Sequence, residues 1–125
     1  MKMIKTTPKL IRGCIGSLNE LSGSALPVKA AYSVSKLIAA CNSELRDFEA
    51  ARNKIFADAG CTINDKTQWT HENLEVLEAK KKVVEELLDV ETEINALPLD
   101  IEQFGSATVP GGVFAELFWA LKPEA

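Results

Sequence analysis

The chain has 125 residues, 46% of them hydrophobic and 26% charged, with a formal net charge of −4. That length suits a single domain, which buries about two-thirds of its unfolded surface without help from disulfides or metals. The acidic balance argues against nucleic acid as a partner, because there is no basic excess to displace counterions. No apolar run approaches the roughly 20 residues needed to span a bilayer, so no membrane partner is expected.

The first residues, "MKMIKTTPKL", lack the apolar core of a signal peptide. Residues 2–6 read as a short strand. Thr7 and Pro8 then give an N-cap followed by proline at the first helical position. Leu10, Ile11, Cys14, Ile15, Leu18 and Leu21 form one apolar helical stripe ending at "SGS". Gly13 and Gly16 weaken this helix and are expected to admit a close neighbouring backbone.

Pro27 is placed in the first turn of a second helix. No proline or glycine follows until Gly60, which reads as the C′ residue. The inward face is Ala30, Val34, Leu37, Ile38, Cys41, Leu45, Phe48, Ile55 and Phe56. Arg52 interrupts it and is expected to snorkel or to pair with an acid of the third helix.

The segment 60–70 reads as a loop. Thr70 is the expected N-cap of a third helix over 71–89, with Trp69 and Leu74 as a hydrophobic staple. Its apolar residues, Val76, Leu77, Val83, Val84, Leu87 and Leu88, include pairs seven apart and predict coiled-coil-like packing on the long helix. The first and third helices together match the long one in length, so they are expected end to end along it.

Residues 91–97 alternate and end at a proline, which predicts a strand. A loop and a short helix beginning at Pro110 follow. Residues 117–122 are read as a strand completing a small sheet with 2–6 and 91–97. The fold class is therefore α+β and predominantly helical: a long antiparallel helical hairpin, an N-terminal helix and a small sheet made by the terminal segments.

Tyr32 and Lys36 reproduce the Tyr-x-x-x-Lys spacing of a short-chain dehydrogenase site, where the lysine lowers the tyrosine pKa. That chemistry needs a dinucleotide fold upstream, and 31 residues without a strand–glycine-turn–helix unit cannot supply one. What survives is geometry. Lys29, Tyr32 and Lys36 lie opposite the apolar stripe, with the chain's one tyrosine in their midst. They form the candidate binding surface, for a partner protein or for a small anion at the helix start.

Other groups read more plainly. Cys14, Cys41 and Cys61 contain no C-x-x-C pair and are expected as reduced cytosolic thiols. His71 and Cys61 are conceivable as a nucleophile pair, but nothing in the sequence orients the histidine. The acids Glu85, Glu86, Asp89, Glu91 and Glu93 read as a solvated edge, and "PGG" at 110–112 lacks the lysine of a phosphate loop. No enzyme, cofactor or metal is expected. Charge is uneven: residues 1–54 hold nine Lys/Arg against four Asp/Glu, and 55–125 hold five against fourteen. Such halves attract each other within one fold or between subunits.

The succession "LNEL", "LPVKAAYSVSK", "ELRDFEAARNKIF", "VEELLDVETEI" and "VPGGVFAELFWAL" resembles a group of small uncharacterised proteins encoded by tailed phages and prophages. The chain departs from their pattern in its "KPEA" end and its cysteines. The resemblance implies a viral, non-enzymatic protein in the bacterial cytoplasm and brings no mechanism with it. Three roles follow as expectations. One is a homo-oligomeric accessory protein that binds and blocks a host component such as a defence system. The others are a sequestering protein for an anionic ligand such as a nucleotide, and a virion or assembly protein.

Overall fold

The structure is a computed structural model and describes residues 3–96, 98–105 and 112–121. Strand β1 (Met3–Thr6) leads into helix α1 (Pro8–Ser22), which begins as its residues dictate. The Thr7 hydroxyl accepts the Leu10 N–H at 3.2 Å, and Pro8 occupies a first-turn position that needs no donor. Ile11, Cys14, Leu18 and Leu21 are fully buried.

Helix α2 (Val28–Asp58) has 31 residues, about 46 Å at 1.5 Å per residue. Pro27 is its N-cap rather than part of its first turn, because its ψ of 152 is extended. α1 runs antiparallel to the first half of α2. A short connection joins them, and Arg12 near the far end of α1 lies over the Phe48 ring at 5.8 Å. Ala30, Val34, Leu37 and Cys41 close this seam, with Ile38 and Leu45 packed at its edge.

α2 ends in a Schellman motif. The Cys61 N–H donates to the Phe56 carbonyl at 2.9 Å and the Gly60 N–H to that of Ala57 at 3.0 Å. This needs the left-handed backbone of Gly60, φ 82. The 60–70 segment is not merely a loop. Strands β2 (Thr62–Ile63) and β3 (Trp69–Thr70) pair antiparallel. Asn64 Oδ1 holds the turn by accepting the N–H groups of Lys66 and Gln68.

Thr70 therefore belongs to a strand and does not cap the next helix. Helix α3 (Leu74–Leu88) starts three residues later than expected. Asn73 is the cap, its side chain accepting the Glu75 N–H at 3.0 Å. The staple fails with it: Trp69 stacks on Phe56 and Leu74 is exposed. α3 returns along the second half of α2, where Phe56, Cys61 and Leu77 form a second buried cluster with Trp69 and Val84. Arg52 finds no acid of α3; its guanidinium bonds its neighbour Asn53 at 3.3 Å.

Strand β4 (Thr92–Asn95) pairs antiparallel with β1, Ile4 opposite Ile94, so the terminal segments make the expected sheet. The third strand does not form. Helix α4 (Val113–Glu116) runs into a 3-10 turn over Phe118–Ala120, where local carbonyls take the backbone donors. Among the described residues of this segment, Leu121 bridges to Leu99. Pro110 lies outside the described residues. Gly13 and Gly16 admit no neighbour: a Cβ at either would meet nothing within 4 Å.

Candidate binding surface

Lys29, Tyr32 and Lys36 occupy one outer face of α2, as their spacing requires. Tyr32 is 59% exposed. The Lys36 ammonium stands 5.4 Å from its ring centroid, a cation–π contact on the helix surface. Val28, one turn before Tyr32, is 85% exposed and extends the face. The i to i+4 spacing from Val28 to Tyr32 is the sequence signal for this extension.

On this face the Tyr32 ring stands beside the Lys36 ammonium, with Val28 and Lys29 one turn before it. A cleft of about 370 Å³ beside α2 is lined by Ser22, Ser24, Leu26, Ala31, Ser35 and Ile38. Two of its hydroxyls are already committed, Ser22 to the Asn19 carbonyl and Ser24 to that of Glu20. Lys29, Tyr32 and Lys36 are not among its lining residues. Ser33 is buried on the other flank of α2 and reaches Gln103 at 3.5 Å.

The remaining sequence candidates are used structurally. His71 lies ahead of α3 rather than at its first position. Its Nδ1 accepts the Asn73 N–H at 2.8 Å, so one ring nitrogen is tied to the backbone. Among the described residues no hydrogen bond joins it to Cys61. Glu91 pairs with Lys5 at 3.8 Å across the sheet edge, and Lys81 with Glu78 at 3.7 Å. Among the described residues no three His, Cys, Asp or Glu side chains converge to hold a metal ion. No described helix is long and apolar enough to cross a membrane.

Burial pushes the Cys14 thiol up to about 11, partly offset by the Trp119 side chain beside it. The same cause, with the neighbouring Cys14, pushes Cys41 up to about 12. Such thiols are poor nucleophiles at neutral pH.

No protein-family model matches the chain, and no match is found among curated proteins or solved structures.

Proposed function

We propose that the protein is a non-enzymatic, homo-oligomeric binding protein whose α2 face engages an acidic patch on another protein. The observation that carries this reading is the exposed Tyr32, held between Lys29 and Lys36 and continued by Val28. A rigid aromatic on a stiff helix offers contact area at little conformational cost, and flanking ammonium groups steer an acidic partner. In the setting that the phage resemblance implies, that partner is a bacterial cytoplasmic protein, such as a defence component, which the chain blocks.

The anion-sequestering and virion readings draw less support. A nucleotide needs a concave site, and the candidate lysines stand on a convex helix face.

The test is capture from phage-infected cells. Tagged wild-type chain is compared with the Tyr32→Ala and Lys36→Glu variants, and bound proteins are identified by mass spectrometry. A host protein retained stoichiometrically by wild type and lost by both variants supports the reading. Identical captures by all three overturn it, and so does a thermal shift with nucleotides in the absence of protein partners.

A further inference from the structure

We draw no further inference here: the strongest candidate, the Cys14 and Cys41 thiols where α1 packs on α2, carries nothing beyond core packing, because both are sealed from solvent in the main hydrophobic cluster and among the described residues no third metal-ligating group joins them.

Discussion

Phe56 and Trp69 stack with ring centroids 4.9 Å apart and planes 19° from parallel. The contact ties the end of α2 to β3, which delivers the chain to α3. Phe56 is also the residue whose carbonyl accepts the Cys61 N–H, so one position serves both the helix stop and the cluster that holds the arm. Phe56→Ala removes the ring from a site that is 4% exposed and is expected to cost about 3 kcal/mol. Urea unfolding followed by circular dichroism measures it.

Capping chemistry separates Asn73 from Thr70. Asn73→Ala frees the Glu75 N–H and is expected to cost about 1 kcal/mol. Thr70→Ala removes a hydroxyl that donates to the Thr62 carbonyl on an exposed hairpin and is expected to cost less, about half of that. If denaturation shows the reverse order, α3 begins at Thr70 after all.

Much of the architecture could be read from the sequence because it is local. The stretch from Val28 to Ala59 lacks proline and glycine and carries a continuous stripe, so α2 and its Gly60 stop follow from spacing alone. Thr7-Pro8 fixed the start of α1 for the same reason. The N-terminus of α3 was ambiguous because Thr70 and Asn73 are both competent caps. The Trp69 ring decided between them by choosing Phe56, distant in sequence, over Leu74. Arg52 misled because its position on the apolar stripe promised an acid across the helix pair, whereas a neighbouring amide was nearer. The 117–121 segment is dense in apolar residues at every spacing, so periodicity had no purchase on it. The outer face of α2 was legible as the complement of the core. The apolar pairs of α3 were visible in the sequence, but only the fold shows that Leu77 and Val84 are the ones packed against the Phe56 cluster.

Gly13 and Gly16 are open opportunities. Both lie inside α1 and a Cβ at either meets nothing within 4 Å. Gly13→Ala and Gly16→Ala are each expected to stabilise the chain by about 0.5–1 kcal/mol, through helix propensity and a less free unfolded state. Gly60→Ala is expected to destabilise, since φ 82 is strained for any side chain. Thermal midpoints of the three variants check the contrast in sign.

The buried thiols predict an alkaline limit. In the unfolded chain Cys14 and Cys41 lose protons near pH 9.0; in the folded chain burial holds them protonated to about 11 and about 12. Between those values the unfolded state binds fewer protons, so stability is level below pH 9 and falls as pH rises through 11. The slope is at most about 1.4 kcal/mol per pH unit for each thiol. Urea midpoints from about pH 7 to about pH 10.5 follow it. Cys41→Ala is expected to lower the plateau through the lost packing and to flatten the decline.

Tyr32 gives the last prediction. Tyr32→Ala removes an exposed ring and its contact with Lys36 and is expected to change stability by less than about 1 kcal/mol. A core aromatic would cost several times that. The variant is expected to sediment as wild type does and to lose the captured host protein. If Tyr32→Ala dissociates an oligomer instead, the α2 face is itself the self-association surface. Parallel sedimentation and capture on wild type and Tyr32→Ala separates these outcomes, because self-association is read by the first assay and host binding by the second.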